Sequence, residues 1–113
     1  MNTPPPRALV IDDEGLVSIM IEDILTRRGY AVTVVNRRNH LEQIVHVDGW
    51  SLVVSDTDLA TYEEMTTWNA RKIVLCSGRT HADLTEAFPG MSYITKPCLE
   101  DDFDRVLGER HDR

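Results

Sequence analysis

The stretch RALVIDDEGLVSIMIEDILTRRG, residues 7–29, places a strand pattern directly before a helix pattern. Residues 7–11 form a compact apolar run that ends at Asp12. In residues 15–29 the apolar side chains recur every four positions in two adjacent rows, which predicts an amphipathic helix. Gly29 suits the C-terminal cap of that helix. The stretch therefore predicts one β–α unit with acidic residues at its junction.

The same alternation of strand and helix patterns continues along the chain. Further strand patterns occupy residues 30–35, 51–55, 72–76 and 92–95, and further helix patterns occupy residues 40–47, 81–88 and 99–110. Strands that are apolar throughout, alternating with amphipathic helices, favour a parallel sheet covered by helices on both faces. In such α/β sheets, ligands bind at the carboxyl ends of the strands.

Length and composition limit the class of protein. A chain of 113 residues suggests one domain. The segment MNTPPPR has three prolines and no apolar core, so residues 1–6 are predicted to be a disordered lead-in and not a signal peptide. The apolar runs are far shorter than the roughly 20 residues of a membrane span. We therefore expect no membrane association and a cytoplasmic location.

Charge and cysteine content exclude other classes of function. The net charge of −7 argues against direct nucleic-acid binding, which requires a basic surface. Cys76 and Cys98 are 22 positions apart and match no metal-ligand spacing. In a cytosolic protein both are expected to be reduced, partly buried thiols, and Cys98 is expected to pack without a redox role.

Polar side chains follow four of the predicted strands and would meet at one edge of the sheet. They are Asp12 and Asp13, Asp56 and Asp58, Ser77, and Lys96. Phosphoryl transfer to an aspartate uses such a set, because aspartate is a nucleophile for phosphorus and catalysis depends on positioning and charge neutralisation. Carboxylate oxygens bind Mg²⁺ or Mn²⁺, a lysine neutralises a phosphoryl oxygen, and a hydroxyl donates to another.

Four motifs resemble the signatures of the response-regulator receiver domain of two-component signalling. They are VIDDE at 10–14, LVVSD at 52–56, IVLCSG at 73–78 and YITKP at 93–97, in the family's order. The resemblance implies a receiver domain over residues 7–110. Its fold would be flavodoxin-like, a doubly wound (βα)5 parallel sheet with strand order 2-1-3-4-5.

The resemblance also implies how the acidic residues work. Asp56 would be the phosphoacceptor, phosphorylated by a histidine kinase or a histidine phosphotransfer protein. Asp13 and Asp56 would bind the metal directly together with the backbone carbonyl of Asp58. Asp12 would act through a water molecule or as a second acid.

The remaining roles implied by the resemblance belong to the later strands. Ser77 would move toward the phosphoryl group, and Lys96 would pair with it. The Lys96–Pro97 peptide bond would be cis, which a proline makes less costly. Tyr93 stands where receivers often carry an aromatic switch, although a strand aromatic with a hydrated hydroxyl explains it equally simply.

The segment after Asp56 departs from the family. Residues 57–71 number only fifteen, whereas a mean helix of about 11 residues with two connections of about 4 would need nearly 20. The segment also lacks a clean helical stripe and the glycine and proline usual in this receiver loop. The third helix is therefore predicted to be shortened or missing.

Other functions remain open on the sequence. A pseudo-receiver would keep the fold and bind a partner without taking phosphate. A haloacid-dehalogenase-like phosphatase would use the nucleophile in SDTDLAT. In that family the nucleophile strand comes first and the metal-binding acid pair follows the lysine. Here the strand-end pair Asp12 and Asp13 precedes the nucleophile, and Asp101 and Asp102 follow Lys96 on a predicted helix. A stand-alone receiver would signal through a downstream protein whose identity is unknown, and the chain could equally be excised from a larger one.

Overall fold

The computed structural model describes residues 3–46 and 49–108. In these ranges a parallel five-stranded sheet has the order β2-β1-β3-β4-β5. The strands are β1 (Arg7–Ile11), β2 (Ala31–Val35), β3 (Leu52–Ser55), β4 (Ile73–Ser77) and β5 (Ser92–Thr95). The helices are α1 (Gly15–Arg27), α2 (Arg38–Ile44), α3 (Tyr62–Met65), α4 (His81–Ala87) and α5 (Glu100–Leu107). The predicted fold class and strand order are confirmed.

The sheet separates two apolar cores, one on each face. Along β1, Ala8 and Val10 join a core with residues of α1 and α5, including Phe103. Leu9 and Ile11 join the opposite core with residues that include Leu84 of α4. Because neighbouring strand residues point to opposite faces, a strand buried on both sides must be apolar throughout. This explains the unbroken apolar run before Asp12.

Helix α1 uses only part of its apolar surface for packing. Ile21, Ile24 and Leu25 are buried against the sheet. Leu16 and Met20, which belong to the predicted apolar rows, are 80% and 45% exposed. The apolar pattern of the sequence thus predicts the helix correctly, but not that the row of Leu16, Met20 and Ile24 is buried only at Ile24.

The connection between β3 and β4 contains a single helical turn, as predicted. Helix α3 has four residues, Tyr62–Met65. Thr61 caps it through a hydrogen bond from Glu64 N, and the Glu64 carboxylate accepts from Thr61 N in return. Met65 and Trp68 are 1% and 9% exposed and belong to the core on this face. Two buried side chains and a capping box therefore replace a full helix.

The expectation of two reduced thiols is wrong. Cys76 and Cys98 form a disulfide, with Cα atoms 6.6 Å apart. Their 22-residue separation hides this proximity, because β4 and β5 are neighbours and Cys76 is registered with Ile94. The chain then turns after Thr95, so that Cys98 comes back to the end of β4. Cys98 is buried, but it is not only a packing residue.

Some predictions fall on residues that the structure does not describe. These are residues 1 and 2 of the predicted lead-in, residue 47 of the second predicted helix, and residues 109 and 110 of the last one. At the start of the described chain, Pro6 O accepts a 2.8 Å hydrogen bond from Ala31 N, so the β1–β2 pairing extends to Pro6. Among the described residues, no helix has the length and apolar character needed to cross a membrane.

Candidate functional site

The carboxyl ends of β1, β3, β4 and β5 surround a cleft of about 330 Å³. Its walls include Asp56, Ser77 and Lys96. A larger cleft of about 490 Å³ lies beside it, between residues 57–64 and the C-terminal end of α4. Both clefts are bordered by Asp58 and Arg79. The parallel topology thus brings together residues that are far apart in the sequence.

Three aspartates meet at the ends of β1 and β3. One carboxylate oxygen from each of Asp12, Asp13 and Asp56 lies within 4.8 Å of the others. The register explains this meeting, because Ile11 is paired with Ser55 and the chain then continues into the acids on both strands. Asp56 N also donates a 2.8 Å hydrogen bond to Ile11 O.

The Asp56 carboxylate is buried, and only one of its two oxygens accepts hydrogen bonds. Its Oδ1 accepts hydrogen bonds from Asp58 N at 3.2 Å and from Leu59 N at 3.1 Å. Its Oδ2 is buried with no hydrogen-bond partner among the described residues. Burial, reinforced by the negative charge of Asp12, raises the pKa of Asp56 against the opposing effect of the two amides. An unpaired buried carboxylate oxygen favours binding of a cation at this point.

Asp12 has the same electrostatic character. Its side chain is 1% exposed, and burial raises its pKa although the amide of Glu14 and the ammonium of Lys96 act in the opposite direction. Its Oδ2 lies 3.3 Å from Lys96 Nζ. Asp13, in contrast, is exposed at the rim of the cluster. The cluster therefore combines two buried acids with one that solvent reaches.

Lys96 is held beside these acids. The Lys96–Pro97 peptide bond is cis. Lys96 Nζ donates to Glu14 Oε1 at 2.5 Å as well as facing Asp12. Burial alone would lower the pKa of Lys96, but the hydrogen bonds and charges of Glu14 and Asp12 outweigh it, and the pKa is raised. The lysine is therefore a fixed positive charge in an acidic site.

Ser77 lies across the cleft from the acids and is 2% exposed. Its hydroxyl lies 3.0 Å from Thr57 Oγ1 and accepts a 3.0 Å hydrogen bond from Arg79 N. Its carbonyl accepts a 2.8 Å hydrogen bond from Lys96 N. Ser77 and Lys96 are thus connected through the backbone at the ends of β4 and β5.

Asp58 and Tyr93 lie farther out. The Asp58 side chain is 73% exposed, and its carboxylate is 3.8 Å from Arg79. The Tyr93 hydroxyl contacts His81 Nδ1 at the start of α4, and the two rings are 5.6 Å apart. Tyr93 is therefore connected to α4 in this structure, a contact that the sequence did not predict.

Sequence reasoning missed several neighbours of the site. No role was predicted for Glu14, whereas it binds Lys96. Thr57 and Arg79 had no assigned role, yet they contact the Ser77 hydroxyl. Their positions directly after strand ends were the available signal, since any residue there faces the same edge of a parallel sheet.

Comparison by sequence found no relative. A scan against models of protein families gave no match, and neither did a comparison with curated proteins.

Comparison by structure found receiver domains. A CheY-like receiver domain from Methylobacillus flagellatus is 17% identical, with 91% of this chain and 96% of that one covered and a TM-score of 0.73. The receiver domain of a sensor histidine kinase from Pseudomonas aeruginosa, with a magnesium ion in its active-site cleft, is 22% identical over 91% and 94% of the chains, with a TM-score of 0.74. A response regulator from Burkholderia pseudomallei, with a phosphorylated aspartic acid, a calcium ion and citrate, is 20% identical and has a TM-score of 0.73. The match covers 95% of this chain and 67% of that one. The chain therefore has the fold of response-regulator receiver domains.

Proposed function

We propose that this chain is a phosphoacceptor receiver of a two-component or phosphorelay system, and that Asp56 takes the phosphoryl group. The observation that carries the proposal is the Asp56 carboxylate, which has a buried Oδ2 without a hydrogen-bond partner among the described residues. It borders an open cleft together with Ser77 and Lys96. Phosphorylated aspartate in a structural neighbour supports the same chemistry.

The acidic cluster fits a hard divalent cation such as Mg²⁺ or Mn²⁺. Asp12, Asp13 and Asp56 each offer an oxygen within 4.8 Å of the others. The Oδ2 atom of Asp56 is buried without a hydrogen-bond partner among the described residues, and the buried Oδ2 atom of Asp12 lies 3.3 Å from Lys96 Nζ. Asp13 and Asp56 would bind the ion directly with the Asp58 carbonyl, and Asp12 would act through water or as a second acid. When bound, the ion neutralises charge between the acids and the incoming phosphoryl group.

The transfer step follows from the position of Asp56. A carboxylate oxygen of Asp56 attacks the phosphorus of a phosphohistidine on a kinase or phosphotransfer protein. The new O–P bond forms as the P–N bond breaks, and the imidazole nitrogen leaves with the electron pair and is protonated by solvent. The amides of Asp58 and Leu59 hold the carboxylate in place during this step.

Ser77 and Lys96 would stabilise the product. The Ser77 hydroxyl would turn from Thr57 to donate to a phosphoryl oxygen, and Lys96 would move from Glu14 to pair with another. Because Arg79 N donates to the Ser77 hydroxyl, the movement of Ser77 would alter the loop directly before α4, where His81 meets Tyr93. Tyr93 is then the candidate switch residue that transmits the change to a downstream protein. In this proposal the partners and phosphoryl donors are cytoplasmic proteins.

The test is incubation with Mg²⁺ and acetyl phosphate, followed by intact-mass measurement. We expect one phosphoryl adduct, labile to base, on the wild-type chain and none on Asp56→Asn. Asp58→Asn is the matched control, because its carboxylate is exposed and lies in the same loop. It should still form the adduct.

A folded wild-type chain without an adduct would instead identify a pseudo-receiver, and an adduct that survives Asp56→Asn would refute the assigned nucleophile. Steady release of phosphate from phosphomonoesters would indicate the phosphatase alternative. The structure gives that alternative no support, since Asp101 and Asp102 lie in the first turn of α5.

A further inference from the structure

The Cys76–Cys98 disulfide joins the two strand ends that carry Ser77 and Lys96. Cys76 immediately precedes Ser77 in β4, and Cys98 immediately follows the Lys96–Pro97 peptide. Lys96 N also donates to Ser77 O at 2.8 Å. A covalent bond and a backbone hydrogen bond therefore connect the same two loops.

The disulfide is enclosed but borders the site. Cys76 is fully buried and Cys98 is 3% exposed, and both belong to the apolar core with α1 and α5. Cys76 also lines the cleft that contains Asp56. Breaking or forming the bond between these sulfur atoms would therefore displace the neighbouring residues that line the cleft, because a packed core transmits small displacements.

Chemical environment distinguishes two uses of such a bond. Disulfides that serve only stability are typical of oxidising compartments, whereas disulfides in reducing compartments are mostly transient, catalytic or redox-sensing. A receiver that accepts phosphate from cytoplasmic donors works in a reducing compartment. In that setting a reversible bond is favoured over a purely structural one.

We propose that Cys76 and Cys98 form a reversible thiol–disulfide site that controls how freely Ser77 and Lys96 rearrange around Asp56. The inference rests on the proposed function. In the disulfide form the two loops are tied together, so the movements of the Ser77 hydroxyl and Lys96 ammonium toward a phosphoryl group are restrained. In the dithiol form the two loops separate more easily, and Asp56 is phosphorylated faster.

The redox step uses a protein or small-molecule dithiol as reductant. One thiolate of the reductant attacks Sγ of Cys98, the less buried of the two residues, and Cys76 leaves as a thiolate that takes a proton. The second thiol of the reductant then displaces Cys98 from the mixed disulfide. Two electrons and two protons pass to the cysteines, and the reductant becomes a disulfide. Because both sulfur atoms are enclosed, this exchange requires local opening and is slow.

The first measurement is amide hydrogen exchange on the full chain in both redox states, without phosphodonor. Thiol alkylation and intact mass establish the state of the cysteines. We expect about fivefold faster exchange in the dithiol form at residues 77–80 and 96–99, the lower range of coupling between sites. Residues 62–71, which do not line the cleft that contains Asp56, serve as the internal control and should not change. Equal exchange in both states at 77–80 and 96–99 would overturn the proposal, as would free thiols that persist in excess oxidised glutathione.

The second measurement is the rate of adduct formation with acetyl phosphate and Mg²⁺ in both states. We expect about fivefold faster formation in the dithiol form, and no effect of reductant on Cys98→Ala. We also expect beryllofluoride with Mg²⁺ to bind the dithiol form about fivefold more tightly than the disulfide form. By linkage, this ligand should then shift the thiol–disulfide equilibrium in a glutathione buffer by the same factor, about 20 mV for a two-electron couple.

The two proposals fail separately. No adduct in either state refutes the phosphoacceptor function, and the hydrogen-exchange comparison still decides whether the disulfide restrains the loops. Equal adduct rates in the two states refute redox control and leave the phosphoacceptor function intact.

Discussion

Two connections leave the acidic edge of the sheet from neighbouring strands, and they are built differently. After β1 the chain forms α1, a helix of 13 residues. After β3 the connection of residues 57–71 contains only the four-residue α3. Both connections follow an aspartate of the site, so the fold tolerates very different structures immediately beyond it.

The forces that hold the two connections also differ. Helix α1 has no side-chain cap at its first turn and depends on the apolar residues Ile21, Ile24 and Leu25. The segment 57–71 depends on two large buried side chains, Met65 and Trp68, and on a capping box. A long helix is held by buried apolar residues that recur along one of its faces, whereas two buried side chains and a capping box hold the short irregular segment.

The difference teaches that Asp56 does not need a long third helix to be positioned. Its carboxylate is held by the amides of Asp58 and Leu59, within three residues of itself. The short helix α3, Tyr62–Met65, therefore lies beyond the residues that hold the carboxylate.

The largest expected effect concerns Met65, the buried anchor of the short connection. Met65→Ala should lower the free energy of unfolding by about 2–5 kcal/mol, because it removes a side chain that is 1% exposed and leaves a cavity. Urea denaturation measures the change. Met20→Ala in α1 is the matched control, since that methionine is 45% exposed. Its effect should stay within about 0.5 kcal/mol.

Similar small losses for both methionine variants would contradict this account. They would mean that residues 57–71 are not anchored by burial, and that the short connection is held by its polar contacts alone.

The next effect concerns Asp56 itself. Burial raises its pKa above 3.8 in the folded chain, so ionisation weakens the folded state. This loss of stability is absent below pH 3.8, grows as the pH rises through the folded-state pKa, and is complete above it. At neutral pH and without metal, Asp56→Asn should therefore raise the free energy of unfolding.

Thermal or urea unfolding at several pH values checks this sign. The advantage of Asp56→Asn should shrink on acidification toward pH 3.8. Mg²⁺ should stabilise the wild type more than the variant, because a ligand of the folded state adds to its stability. Asp58→Asn, with its exposed carboxylate, should show neither effect. A destabilised Asp56→Asn chain at neutral pH would show that the carboxylate is not under electrostatic strain.

The sequence predicted the sheet and the strand-end residues because both follow from local patterns. Apolar runs flanked by helical stripes determine a parallel sheet, and its topology brings Asp12, Asp56, Ser77 and Lys96 to one edge. The short third helix followed from a count of residues. What depended on side-chain geometry was not predictable. The Lys96–Glu14 ion pair, the Tyr93–His81 contact and the Cys76–Cys98 disulfide each join residues on different elements, and no periodicity encodes such contacts.

A smaller effect concerns the capping box of α3. Thr61 Oγ1 accepts a 3.2 Å hydrogen bond from Glu64 N. Thr61→Ala should lower the free energy of unfolding by about 1 kcal/mol, because it leaves that amide without its cap. Thr26→Ala is the control in α1, where an exposed threonine inside a helix is replaced by a better helix former. It should be neutral or slightly stabilising in the same urea titration. Equal losses in both variants would mean that the single turn of α3 does not depend on its cap.

The smallest effect concerns Glu64, which connects the short segment to α2. Arg38 Nη1 donates to Glu64 Oε1 at 2.8 Å, and Arg38 also donates to Leu59 O at 2.8 Å. The hydrogen bond from Arg38, followed by that from Thr61 N, lowers the pKa of Glu64 from 4.5 to about 2. Because its folded-state pKa is depressed, Glu64 contributes stability above pH 4.5 that is lost as the pH falls toward 2.

Solvent screening limits this contribution, since the Arg38 and Glu64 side chains are 43% and 33% exposed. Glu64→Gln should therefore lower the free energy of unfolding by only about 0.5 kcal/mol at neutral pH. The difference from wild type should decrease below pH 4.5 and in high salt. Glu63→Gln, an exposed neighbour in the same turn, should show no such pH dependence. If the Glu64→Gln difference were instead constant from pH 7 to 3, packing of the side chain and not its charge would connect α3 to α2. The short connection would then depend mainly on burial, as α1 does.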